Sequence, residues 1–242
     1  MAKEVRDLIR KMSLANRPSG APRIHGELLK LGFQLSQATV AKYMVRHRKP
    51  PSQTWRTFLK NHMTTMVSAD FFVVPTITFR LLFVFVILSH DRRRPVHFAL
   101  TRNPTSEWAA HQLVEAFPWD SAPRYLLRDR DGIYGTVFGD AARSLDIREI
   151  LTAAQSPWQN PYVERLIGSI RRECLDHVIV FNETGLRRVL KSYFDYYDHS
   201  RTHLALDKDA PIPRKIQPPE LGRVVEFPEV GGLHHRYERR AA

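Results

Sequence analysis

The sequence predicts an α/β protein, a mixed sheet flanked by helices and preceded by a small all-helical domain. Three observations carry that prediction. Residues 1–60 hold helical spacings and no strand texture. Three segments rich in Val, Phe, Ile and Thr then follow in succession: "TTMVSADFF", "RLLFVFVILS" and "PVHFAL". Beyond them, helical and extended patterns alternate, which puts helices on both faces of one sheet.

In the head, "EVRDLIRKMSLA" places Val5, Leu8, Ile9, Met12 and Leu14 near the helical period. "APRIHGELLKLG" opens with Pro22 in a first turn and stops at Gly32, with Ile24, Leu28, Leu29 and Leu31 as its apolar side. Ser36 is a good N-cap for "QATVAKYMVRH". A helix, a tight Gly-containing turn and a capped helix make the outline of a helix-turn-helix. In that motif the second helix enters the major groove by its N-terminal residues. Gln37, Thr39 and Lys42 would then face bases, Arg46 and Arg48 would lie near phosphates, and Arg23 and Ser36 complete the expected DNA-facing set.

Charge agrees with this reading. The net charge of the 242-residue chain is +12. Residues 1–60 carry 13 Lys/Arg against Glu4, Asp7 and Glu27, so this quarter holds +10 and the rest only +2. A basic head on a nearly neutral body suits a polyanionic partner. The single cysteine, Cys174, excludes internal disulfides and Cys-rich zinc sites, and is expected as a small packed side chain. The apolar run at 81–88 is too short to cross a bilayer, and no signal peptide opens the chain, so a soluble cytoplasmic protein is expected.

The paired prolines of "RKPPSQTWRTF" suggest a linker. The run at 81–88 reads as a strand covered on both faces, joined to the next strand through the polar "HDRRRP" turn. "SEWAAHQLVEAF" reads as a helix, "RYLLRD" as a strand, "VFGDAARSL" as a helix and "IREIL" as a strand. Two more helices follow, "NPYVERLIGSIRRECLDHV" and "ETGLRRVLKSYFDYYDHS". Four segments result: a helix-turn-helix domain over 1–50, a linker over 51–61, a core over 62–205 and a mostly irregular tail over 206–242.

Three acids stand out. Asp70 and Asp129 close apolar runs, and Glu164 lies in the first turns of a helix, with 34 residues between it and Asp129. Carboxylates brought together by a fold hold divalent metals, and two metals flanking a phosphate serve nucleases and polymerases. The Arg-rich side of the same helix, with Arg171 and Arg172, could lie along a DNA backbone. His111, His177 and His203 are scattered and are expected on the surface or in packing.

In "SADFF", "LLRDRDGIYG", "SPWQNPYVERLIGSIRRECLD" and "YYDHSRTHLAL" the chain resembles the integrase core. This is the RNase H-like catalytic domain shared by bacterial insertion-sequence transposases and retroviral integrases. The head is similar to the helix-turn-helix module that precedes this core in bacterial transposases. The resemblance implies a metal-binding triad of Asp70, Asp129 and Glu164, with two Mg²⁺ (or Mn²⁺) ions as cofactor. It implies cleavage at element ends, strand transfer into target duplex DNA and a homo-oligomer on DNA associated with the nucleoid. "DRDG" offers two aspartates for the second position. Asp129 directly follows a strand and lies nearer the usual spacing, whereas Asp131 sits beside Gly132, where a turn is expected. Members of the family carry further DNA-binding helices upstream, whereas Met1 here stands almost at the first helix. An intact short form and a remnant of a longer reading frame are therefore both open; the alternative to an active enzyme is an inactive or truncated transposase that only binds DNA.

Overall fold

A computed structural model describes residues 3–15, 21–45, 54–118, 121–153 and 159–241. The chain forms two compact units, Met1–Thr54 and Trp55–Ala242.

The first unit holds α1 (Lys3–Ala15), α2 (Ala21–Lys30) and α3 (Gln37–Tyr43). Ile9, Ile24, Leu28 and Val40 share its small core. Gly32, at φ +82°, ends α2, with Phe33 N–H bonded to Leu28 C=O and Gly32 N–H to Leu29 C=O. That pairing is a Schellman close, and its left-handed residue favours glycine. Ser36 then caps α3 by accepting from Thr39 N–H at 3.2 Å. Leu14, Leu29 and Leu31, expected on apolar sides, are instead exposed. Three short helices have room to bury only one narrow stripe each, and Ile9, Ile24 and Leu28 occupy it.

The second unit begins with α4 (Trp55–Asn61), which corrects the expectation of a linker over 51–61 for its described part. Trp55, Phe58 and Leu59 lie at i, i+3 and i+4 and pack with Tyr125 and Leu127. Trp55 Nε1 also donates to Gln159 C=O at 3.1 Å. The paired prolines stand upstream of this helix and do not prevent it.

Five strands form one sheet: β1 (Met66–Pro75), β2 (Leu81–Ser89), β3 (Pro95–Thr101), β4 (Tyr125–Arg128) and β5 (Arg148–Leu151). Their order is β3-β2-β1-β4-β5, antiparallel on the β3 side of β1 and parallel on the β4 side. β2 sends Leu82, Val84, Val86 and Leu88 to one core and Phe85 and Ile87 to the other. Its unbroken apolar run follows from burial on both faces.

One face is covered by α5 (Ser106–Ala116) and α6 (Gly135–Ser144), through Ala109, Leu113, Phe138 and Ala142. The other is covered by α7 (Pro161–Glu173) and α8 (Glu183–His199), through Val163, Leu166, Ile170, Leu186 and Leu190. Each of the larger of these side chains contributes about 1.5–3 kcal/mol by leaving water.

The tail is not irregular. β6 (Arg223–Glu229) and β7 (His234–Arg240) form an antiparallel hairpin docked on α7 and α8. Val230 is buried in that core, and the His234 ring stacks on Tyr196 at 4.3 Å. His234 Nε2 hydrogen-bonds Glu173 C=O at 2.8 Å. Gly222, at φ +109°, lies so close to the end of β7 that a Cβ there would stand 2.2 Å from Arg240 O. "HHRYERR" carries no apolar alternation, so the usual strand signal is missing from β7. Upstream, Arg92 ties the tail down by donating to Pro211 C=O and Ala210 C=O and pairing with Asp209 at 3.1 Å.

Candidate metal centre and nucleic-acid interface

The sheet itself positions the first two acids. Ser68 on β1 is opposite Leu127 on β4, and each strand reaches its aspartate two residues later. Asp70 does not close its strand as the sequence suggested. It sits in the middle of β1, opposite Val86 of β2, just past the last residue paired with β4. The β4 side of β1 is therefore free of ladder bonds at Asp70, and Asp129 lies where β4 gives way to a turn. Asp70 Oδ1 accepts from Phe71 N–H at 2.8 Å.

Asp129 is held by its neighbours. Arg128 pairs with Glu149 of β5 at 2.5 Å and donates to Asp129 C=O at 2.9 Å. Asp129 Oδ1 accepts from Asp131 N–H at 3.1 Å, and Asp131 Oδ1 accepts from Ile133 N–H at 2.9 Å. The Asp131 carboxylate thus caps the short turn Gly132–Tyr134. Glu164 comes from the first turn of α7, where Pro161 fits the helix start and the exposed amides suit a negative charge.

Electrostatics join the three. Burial pushes the Asp70 carboxyl up to about 7; the Phe71 N–H opposes this, and the charges of Glu164, Asp129 and Asp131 add to it. Burial and the Asp129 charge raise Glu164 as well. Among the described residues no Lys, Arg or His forms an ion pair with Asp70, Asp129 or Glu164. Converging carboxylates without a cation repel. Nor do any three His, Cys, Asp or Glu side chains among the described residues already stand as a closed metal-holding group. The donor set is all carboxylate oxygen, the type Mg²⁺ and Mn²⁺ take, so the residues fit such an ion in kind.

Behind Asp70 lies a buried polar pair that the sequence did not reveal. Ser68 Oγ and His90 Nε2 share a 2.5 Å hydrogen bond, both residues fully buried. The His90 ring meets Tyr162 edge-on at 4.8 Å, and Arg93 lies over Tyr162 at 4.9 Å. Burial lowers His90 to about 4, so the imidazole is neutral. This chain of contacts connects β1 to the first turn of α7, two residues from Glu164. No local pattern announces a pairing between residues 22 positions apart.

Of the expected DNA-facing residues, Arg23, Gln37 and Lys42 are exposed. Ser36 and Thr39 bond each other through their hydroxyls at 2.9 Å, so Ser36 serves as the cap of α3. Arg46 and Arg48 lie outside the described residues. Arg171 and Arg172 are exposed on α7, two turns beyond Glu164; Arg171 donates to Val73 C=O at 3.3 Å. Arg172 lies across Gly168, where a Cβ would approach its guanidinium to 3.1 Å. His111 is exposed beside Glu115, His177 bonds Arg172 C=O, and His203 packs on Tyr197. Cys174 is buried. Among the described residues no helix is long and apolar enough to cross a membrane.

Residues 145–211 match the family described as integrase core domain. Among curated proteins, none matches the sequence. Of solved structures, the Mos1 transposase catalytic domain with raltegravir and Mg is similar at a TM-score of 0.50 and 15% identity, over 58% of this chain and 75% of that one. An intasome chain of simian T-cell lymphotropic virus, solved with the PP2A regulatory subunit B56 gamma, gives 0.49 and 15% over 95% and 86%. The catalytic core of HTLV-2 integrase with magnesium gives 0.46 and 11% over 61% and 93%. The mixed five-stranded sheet with helices on both faces is the RNase H-like arrangement of such cores. Family match and fold point the same way: residues 145–211 match an integrase core domain, and the sheet with its helices has the fold of a transposase catalytic domain.

Proposed function

We propose that this protein is a DNA transposase that cleaves at the ends of an insertion element and joins them to a target duplex. The observation that carries the reading is that the charges of Asp70, Asp129 and Glu164 oppose one another, with no cationic side chain among the described residues paired to any of them. A fold keeps such a costly arrangement where a function needs it. Asp70, Asp129 and Glu164 would hold Mg²⁺ or Mn²⁺, two ions in the full site. When bound, the ions supply charge neutralisation at the scissile phosphate and a more acidic attacking hydroxyl.

The remaining work falls to this chain's own residues. The Arg128–Glu149 pair fixes the backbone at Asp129, and Ser68, His90 and Tyr162 tie β1 to the helix that carries Glu164. In the head, α3 would enter a major groove with Gln37 and Thr39 leading and Lys42 following. Arg171 and Arg172 on α7, with Arg23, would neutralise backbone phosphates. Oligomers on DNA would bring two element ends together.

The test is incubation of the full chain with duplexes ending in the repeats that bracket its reading frame, with Mg²⁺. Nicked ends and joined products are expected. Tight binding to those ends with neither product, in Mg²⁺ and in Mn²⁺, would favour an inert DNA-binding remnant and overturn the enzymatic reading.

A further inference from the structure

Tyr134 ends the turn that leads from Asp129 into α6, and its ring is 1% exposed. The ring stands 5.6 Å from Phe71 and 4.8 Å from Phe138, with the Arg128 guanidinium 4.7 Å from its centroid. It is thus wedged between the residue after Asp70 and the residue before Asp129. Ser106 pins its backbone, with Oγ donating to Tyr134 C=O at 2.9 Å and accepting from Phe138 N–H at 3.2 Å. Gly135, at φ +41°, allows this approach, since a Cβ there would stand 2.7 Å from Ser106 Oγ.

The phenol oxygen is buried and has no hydrogen-bond partner among the described residues. A phenylalanine would fill the same aromatic space without stranding a polar atom, and buried polar groups are rarely left unpaired. Burial raises the phenol's pKa, and among charged neighbours Asp70 presses on it most, ahead of Asp129. Asp70 has one oxygen bonded to Phe71 N–H, which leaves the other with lone pairs to spare.

We propose, building on the metal-dependent reading above, that Tyr134 is a positioning residue whose hydroxyl donates to the Asp70 carboxylate in the cation-loaded site. The carboxylate would then be held by Tyr134 as well as, from its own strand, by Phe71 N–H. The phenol hydroxyl, unpaired among the described residues, would find a partner there.

The test titrates Mn²⁺ into the full chain, as wild type, Tyr134→Phe and Asp70→Asn, by calorimetry, with a melting curve for each in chelator. Tyr134→Phe should bind Mn²⁺ about tenfold more weakly, the effect of one lost hydrogen bond to a charged group. It should melt no lower than wild type without metal, because the unpaired oxygen is gone. Mg²⁺ should also produce a tyrosine ultraviolet difference spectrum in wild type that Tyr134→Phe lacks. If Asp70→Asn loses Mn²⁺ while Tyr134→Phe binds like wild type, the role of Tyr134 is overturned and the site stands. If Asp70→Asn binds like wild type, both fall. Should Tyr134→Phe fail to fold, the wild-type spectrum decides: no tyrosine change on adding Mg²⁺ overturns the proposal.

Discussion

Asp70 within β1 and Asp129 just past the end of the adjacent parallel β4 each lie two residues beyond the paired Ser68 and Leu127. The register of one short ladder therefore sets the spacing of two carboxylates. Glu164 is brought to them by α7, which packs on the same sheet through Val163, Leu166 and Ile170.

That placement carries a stability cost in the ion-free chain. Asp70 titrates near 7 when folded and near 3.8 as a free side chain. The folded state therefore holds more protons between those values, and stability falls as pH rises from about 4 to about 7, then levels. Asp70→Asn removes the charge and should raise metal-free stability at pH 7.5 by on the order of 3 kcal/mol while abolishing cleavage. Urea unfolding at pH 4 and pH 7.5 measures it. A variant less stable than wild type at pH 7.5 would show that the carboxylate is not under this strain.

The two aspartates of "DRDG" should separate cleanly. Asp131 caps its turn through Ile133 N–H, a bond that asparagine can also accept. Asp131→Asn should keep most joining activity, and Asp129→Asn should lose it at least a hundredfold, an expectation set by roughly 3 kcal/mol of lost charge stabilisation. The reverse pattern, with circular dichroism unchanged, would assign the second position to Asp131.

Fold and site were legible in unequal measure. The apolar run of β2 and the amphipathic α7 and α8 stand in the sequence because burial imposes a strong period on them. Val163, Leu166 and Ile170 were readable for that reason. The β6–β7 hairpin was not readable, because its anchors are single residues, Val230 and His234, in a charged segment. The helix α4 was hidden by prolines just upstream. At the candidate site, the three acids are proposed from residue type and spacing. The Ser68–His90 bond, the Arg128–Glu149 pair and the stranded Tyr134 hydroxyl are products of tertiary packing and leave no local trace.

The C-terminal hairpin should prove structural. Glu173 takes two bonds from Arg201, at 2.6 and 2.7 Å, and one from the Tyr193 hydroxyl at 2.9 Å. Burial alone would raise the Glu173 carboxyl, but Arg201 and Tyr193 outweigh it and hold it below the usual range. A depressed carboxylate gives stability above its unfolded pKa that is lost as pH falls through the folded value. Arg201→Ala leaves a half-buried carboxylate unpaired and should cost about 2–3 kcal/mol at neutral pH, with Mn²⁺ affinity unchanged. Melting curves and a metal titration on one preparation check both halves.

DNA affinity should reside mainly in the head. Lys42→Ala should lower the slope of log K against log salt by about 1, as one released counterion requires. Gln37→Ala should leave the slope alone and weaken discrimination between cognate and scrambled ends. Fluorescence anisotropy of the full chain across a salt series reads both. An unchanged slope for Lys42→Ala would place that lysine off the DNA.

The central claim is that Asp70, Asp129 and Glu164 share divalent cations. Its most direct test is a Mn²⁺ titration of wild type against Asp70→Asn, Asp129→Asn and Glu164→Gln, each verified as folded. Wild type should bind, and each substitution should weaken binding at least tenfold, about 1.4 kcal/mol or more. Equal affinity in all four proteins, or no binding by wild type, would contradict it.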